Sequence, residues 1–348
     1  MASRPRAGGS LTFGTLFGAA LALLAVIAAA LLLRALLEIV LIFLIAVILA
    51  EGLRPLVRAL NSRGVPEILA RAAVYLALIG IVIGLLSILA RPVALQAQGV
   101  LENLPRYESS ISSNLDSALQ SLNLQIDVRA EVSSSLGTIS GFLLKAGETV
   151  VRALVDTLAV LLMSFLWLGT SARLGAFTIR LLPPRHERLA REVLASIGSA
   201  FGGYVRGVAI NMVVIGVVSG VAASLLDLPA PVLLGLFMGL TEMIPIVGPI
   251  IGATPAVLLG FTVSPVYPLL VAAVYLVIQE LEAHTLVPLL MRQAVGLPAL
   301  GVVLALLVGA ALGGVAGAIV AVPVASALQI VTLRVVAPAL RERWGAAA

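Results

Sequence analysis

The sequence predicts an all-α polytopic integral membrane protein: about six full spans plus two re-entrant helical hairpins, or eight spans in all, with a small extracytoplasmic helical insert. Three observations predict it. Of 348 residues, 61% are hydrophobic and 11% charged, against about 25% charged in soluble domains; the mean hydropathy is +1.15. The apolar residues fall in membrane-length runs separated by arginine-bearing segments, and two of the runs are too long to cross a bilayer once. A water-soluble core cannot hide this much apolar surface, so lipid must cover it.

The first run, Leu11 to Leu33, follows Arg4 and Arg6. It is too long for the core of a signal peptide and is read as a first span. A second span runs from Ala35 to Ala50 and ends at Glu51 and the stretch Arg54-Pro55-Leu56-Val57-Arg58, with Arg34 and Glu38 spaced to pair at i,i+4. The third covers about Ala72 to Ala90, completing an N-terminal membrane scaffold over residues 1–90. From residue 91 to 149 the composition turns polar, and Ile111, Leu115, Ala118, Leu119 and Leu122 recur at helical spacing. That segment is the insert. A fourth span covers about Val150 to Leu168, within a 150–203 segment rich in arginine. The fifth runs from about Tyr204 to Leu226 and begins a transport core over 204–335, followed by a tail over 336–348.

From Pro92 to Glu148 the insert carries Arg106, Arg129 and Lys145 against Glu102, Glu108, Asp116, Asp127, Glu131 and Glu148. By contrast, the loop after the second span holds Arg54, Arg58, Arg63 and Arg71. The segment before the fifth holds Arg173, Arg180, Arg185, Arg188, Arg191 and Arg206. Positive-inside reasoning places the arginine-rich segments and both termini in the cytoplasm and the insert outside, as in a bacterial inner membrane. The basic balance, a net charge of +5, is therefore topological rather than a nucleic-acid surface. With no cysteine in the chain, disulfides and thiolate metal sites are excluded. His186-Glu187 lacks a second histidine at zinc-protease spacing, and no phosphate loop or dinucleotide fingerprint occurs. No enzyme, cofactor or metal is expected, and any coupling must come from an ion or solute gradient.

Pro231 to Phe261 is almost wholly apolar over about 31 residues, roughly 46 Å as a straight helix against a core of about 30 Å. Its middle reads Glu242-Met243-Ile244-Pro245-Ile246-Val247-Gly248-Pro249-Ile250-Ile251-Gly252, where the prolines remove helix donors. Leu300 to Leu333 is similarly long and is interrupted by Gly309, Gly313, Gly314 and Gly317. Each is either one kinked span or a hairpin, and bare backbone at a hairpin tip marks a site enclosed by protein. The alternatives place Thr262 and Arg292 on opposite sides.

The span from about Tyr267 to Pro288 contains Gln279-Glu280-Leu281-Glu282-Ala283-His284. Gln279 and Glu282 share a face, and Glu280 meets His284 at i,i+4. A charge inside a span costs roughly 2.5–3.5 kcal/mol, so these groups either sit at the interface or bind a polar solute or proton. Glu242, at the middle of its stretch, must be protonated, paired or facing a polar cavity. Tyr204, Arg206 and Asn211 are weaker candidates, Arg206 being read as an interface anchor. The candidate site is Glu242, Pro245, Gly248, Pro249, Gln279, Glu282 and His284 with Gly313, Gly314 and Gly317.

The order of these motifs resembles the autoinducer-2 exporter (AI-2E) family of bacterial permeases. The resemblance rests on Leu234-Gly235, Glu242 through Gly252, Pro255, Gln279-Glu280-Leu281-Glu282, Pro288 and Val295-Gly296-Leu297, then Gly313, Gly317 and Ala321-Val322-Pro323. The N-terminal half matches by layout. The resemblance implies a quorum-sensing-type export of a small solute by an elevator-like movement without ATP, two membrane hairpins around the site, and a pentameric homo-oligomer. The alternative it implies is a sodium or lithium/proton antiporter, since some members of the family behave so. The sequence departs from the family at His284 and Leu289. A non-transporting membrane scaffold is the rival from another class.

Overall fold

The computed structural model describes residues 13–121, 129–144, 146–286, 288 and 296–345. Arg4, Arg6, Lys145, Leu289, Arg292, Val295 and the Arg34 side chain lie outside what it describes. The described residues are helical almost throughout and contain no strand. Among the described residues, six helices are long and apolar enough to cross a membrane.

Helix α1 spans Phe13–Asn61 without a break over 49 residues. The two spans expected there are thus one helix, which corrects the sequence reading. The reason is local. From Ala19 to Ala50 the chain offers no glycine, proline or asparagine on which to reverse, and alanine and leucine favour helix at every position.

Helix α2, Glu67–Glu102, outlasts its expected span and runs into the insert, which consists of α3 (Leu104–Ser121) and α4 (Arg129–Leu144). The two insert helices close on each other through buried Ile111 and Leu136. Helices α5 (Ala146–Arg180) and α6 (Pro184–Leu225) follow. At about 63 Å, α6 exceeds any bilayer core, so its basic first half extends beyond the membrane. Helices α1, α2 and α5 share an apolar cluster built on Ala50, Val57, Ala70, Val74, Tyr75 and Leu168, and the hydroxyls of Tyr75 and Ser164 meet inside it.

Both over-long stretches fold back. Helices α7 (Pro231–Thr241) and α8 (Val247–Gly260) are about 16 and 21 Å long. They pack against each other, with Gly252 beside Met238 and Thr241. The second stretch, α10 (Ala299–Val331), leaves helical geometry at Gly313 (φ −139°, ψ 21°) and Gly314 (φ 58°, ψ −138°). Buried Leu306 joins Ala318, Ala321 and Val322 in one cluster, whereas a straight helix would hold residues 306 and 321 about 22 Å apart. Gly309 and Gly317 face each other so closely that a methyl group on either would strike the other's carbonyl. The second arm is not a short one: it continues through a π-helical turn, Thr332–Val336, into α11, Ala337–Gly345. Between the two hairpins lies α9, Tyr267–Leu281, which ends in a π-helical turn at Glu282–Leu286. The insert and the end of α2 latch onto the first hairpin. Asn114 Nδ2 donates to the Phe261 carbonyl at 2.7 Å, and the Leu233 N–H donates to Gln96 Oε1 at 3.0 Å.

Candidate functional site

Helix α7 approaches α6 almost backbone to backbone. A side chain on Gly235 would meet the Gly216 carbonyl at 2.6 Å, and one on Gly239 would meet the Met212 carbonyl at 2.6 Å. Small residues permit this spacing between helices where lipid supplies no hydrophobic drive. The consequence is chemical: the short Asn211 side chain of α6 reaches across to the turn that follows α7.

There Asn211 Nδ2 donates to Glu242 Oε2 at 3.2 Å and to Glu282 Oε1 at 2.8 Å. Gln279 Nε2, one turn before Glu282 on α9, donates to Glu282 Oε2 at 2.7 Å. Glu242, Glu282 and Asn211 are exposed by only 4%, 5% and 6%, so these are buried acids and not a solvated rim. No arginine, lysine or histidine contacts either carboxyl group among the described residues. Asn211 Oδ1 and Glu242 Oε1 are buried without a hydrogen-bond partner among them. An unmatched buried oxygen costs about 1–3 kcal/mol, and an uncompensated buried charge costs more. The cluster is therefore an oxygen-lined, electron-rich site that a proton or a cation would satisfy.

The polypeptide around Glu242 is itself strained. Ile246 holds φ 71° and ψ −48°, and the Val247 N–H donates to the Pro245 carbonyl at 2.8 Å. That is the uncommon form of the γ-turn, and a β-branched residue at positive φ is a genuine outlier. Such strain gathers at ligand sites and switches, at about 1–3 kcal/mol each. A π-helical turn beginning at Glu282 is a second irregularity of the kind that accompanies function.

Of the expected residues, Glu242, Gln279 and Glu282 come together. Pro245 stands in the adjoining turn, with Gly248 and Pro249 buried at the start of α8. His284 faces away from the cluster. It sits exposed beside Glu280, with Nδ1 3.3 Å from Glu280 Oε2, as the i,i+4 spacing predicted. Gly313, Gly314 and Gly317 form the turn of the second hairpin, where Gly313 lies against Leu41 of α1. Met243 and Ile244 of the first turn pack onto the arms of that hairpin, among Leu306, Ala318 and Val322. Asn211 was only a secondary candidate, although a lone amide in the run Val208 to Gly216 is itself costly unless it has a partner. Ile246 gave no signal, since its strain is set by the turn and not by its residue type.

The model of the AI-2E family transporters matches residues 21–337. The chain belongs to the AI-2E transporter family. With six membrane-length apolar helices, it is a multi-pass membrane protein of a transporter family. YrrI and YueF of Bacillus subtilis, both named as candidate transport proteins, are similar to this AI-2E member. YrrI is 27% identical over 83% of this chain and 84% of its own length. YueF is 25% identical over 84% and 83%. A candidate transport protein of Mycobacterium tuberculosis is 27% identical, covering 80% of this chain and 78% of its own length.

Proposed function

We propose that this permease is a secondary transporter in which the Glu242–Asn211–Glu282 cluster exchanges a proton for a monovalent cation, sodium or lithium. One observation carries the reading: two buried carboxyl groups share the Asn211 amide donor, contact no cationic side chain among the described residues, and leave Glu242 Oε1 and Asn211 Oδ1 without a hydrogen-bond partner among them. Two full negative charges in so dry a place are costly, and occupancy by either a proton or a cation relieves that cost. Occupancy by one therefore displaces the other, which is the elementary requirement of antiport. Oxygen donors from carboxyl and amide groups suit hard cations.

Movement follows from the same residues. The cluster joins three elements, α6, the turn of the first hairpin and α9, so its charge state is felt by all of them. Re-entrant hairpins, an elevator-like displacement of residues 204–335 against the scaffold, and assembly as a homo-oligomer complete the reading. So does placement in a bacterial inner membrane with the arginine-rich ends in the cytoplasm. Export of a polar, autoinducer-2-like solute is the second reading. Its support is the open Asn211 Oδ1, an acceptor for a solute hydroxyl.

The test is a pH-gradient assay in vesicles of reconstituted protein. Adding sodium or lithium should collapse an imposed gradient, and Glu242→Gln should abolish the response while leaving membrane insertion intact. Solute export alone would give no ion-specific response. A response unchanged in Glu242→Gln would remove the cluster from transport.

A further inference from the structure

A cavity lies apart from the carboxyl cluster, where the ends of α1 and α5 meet the basic half of α6. Its volume is about 770 Å³, within the range of small-molecule sites. Four arginines from two helices line it: Arg54 and Arg58 of α1, and Arg191 and Arg206 of α6. Glu51 is the sole acid in the lining. Arg54 clamps both its oxygens, at 2.7 and 2.6 Å, and also donates to Ser171 Oγ at 2.9 Å. Arg191 stands 3.6 Å from Glu187. Arg58 and Arg206 contact no carboxylate among the described residues, so the cavity keeps an excess of fixed positive charge.

Apart from Thr178 and Ser199, the rest of the wall is apolar. Val47, Leu174, Leu194 and Phe201 line it, together with Trp167, whose Nε1 points toward Glu51 Oε1 at 3.4 Å. A solvated basic loop, the ordinary explanation for arginines at a membrane edge, needs neither a cavity of this size nor an apolar wall. An amphiphile with an anionic head needs both. The arginine fork matches phosphate oxygens, and the location at the ends of spans is where headgroups lie.

We infer that this cavity binds the phosphate headgroup of an anionic phospholipid. Arg58 and Arg206 supply the charge, and the wall around Phe201 and Leu174 takes the upper acyl chain. Arg54 is held in place by Glu51 and Ser171 and shapes the floor. The bound lipid ties α1 and α5 to α6, the helix that also carries Asn211.

Trp167 is a built-in reporter, because the chain contains only two tryptophans and Trp344→Phe leaves it alone. That full-length protein is reconstituted in phosphatidylcholine vesicles containing either brominated phosphatidylglycerol or brominated phosphatidylcholine, bromine being a contact quencher. Brominated phosphatidylglycerol should quench Trp167 at lower mole fraction. Arg58→Gln or Arg206→Gln should each weaken that preference by about fivefold, and Arg58→Lys, which keeps the charge and loses the fork, should keep only part of it. Equal quenching by both lipids in the protein with all arginines present overturns the proposal without reference to any variant. Relief of quenching by inorganic phosphate also overturns it, by assigning the cavity to a soluble anion.

Discussion

The first hairpin reverses at residues 242–246, where Ile246 is held at φ 71° beside two prolines and a buried acid. The second reverses at Gly313 and Gly314, where positive φ falls on a glycine. Glycine accepts that geometry without a Cβ penalty, and isoleucine does not. The first turn also carries Glu242, bonded to Asn211, while the second sets Gly313 against an aliphatic side chain, Leu41. Two stretches that look alike in hydropathy thus do different work. One holds strain beside a buried acid, and the other turns the chain at low cost and packs.

Substitutions that separate charge from packing sharpen this contrast. Glu242→Gln has the largest expected effect on transport: a fall on the order of 100-fold in cation-dependent proton flux, with thermal stability held or raised because a costly buried acid is gone. Asn211→Ala strips both carboxyl groups of their shared donor. It should lower flux comparably and cost about 1–3 kcal/mol of stability, read as a lower midpoint in thermal unfolding of the purified protein. In Gly239→Val, the new side chain meets the Met212 carbonyl, forcing α7 off α6 at a cost of about 1–3 kcal/mol, with cation binding weakened in parallel.

At the second turn the signature should be inverted. Gly314→Val places a β-branched residue at a conformation reserved for glycine, costing about 1–3 kcal/mol, while cation affinity per folded molecule stays unchanged. A loss of affinity there would break the distinction between the hairpins. Ile246→Gly relaxes the first turn and should raise the unfolding midpoint slightly while slowing exchange. Faster exchange would show that the strain is not used. Smallest of all, Glu280→Gln should leave flux unaltered, since the exposed Glu280–His284 pair points away from the cluster.

Much of the membrane architecture is legible in the sequence, because spans and breaks are written in composition. The proline and glycine interruptions at 245–252 and 309–317 mark both reversals, and the i,i+3 spacing of Gln279 and Glu282 places them on one face. What is not legible depends on distance. Arg34 and Glu38 look like a boundary between two spans, yet nothing near them turns the chain, and α1 continues through them. Asn211 reaches Glu242 only because Gly235 and Gly239 bring α7 against α6, a pairing between separate helices that no local pattern encodes. The cavity of arginines likewise draws on α1 and α6, which read separately as two basic loops.

The central claim is that a proton and a cation compete for one pair of carboxyl groups. Infrared difference spectra of the reconstituted protein, with and without sodium or lithium, observe this directly. Cation addition should erase a protonated-carboxyl carbonyl band, and the band should be missing in Glu242→Gln or Glu282→Gln but present in Glu280→Gln. Spectra that do not change with either cation, or a change that persists in both Glu242→Gln and Glu282→Gln, would contradict it.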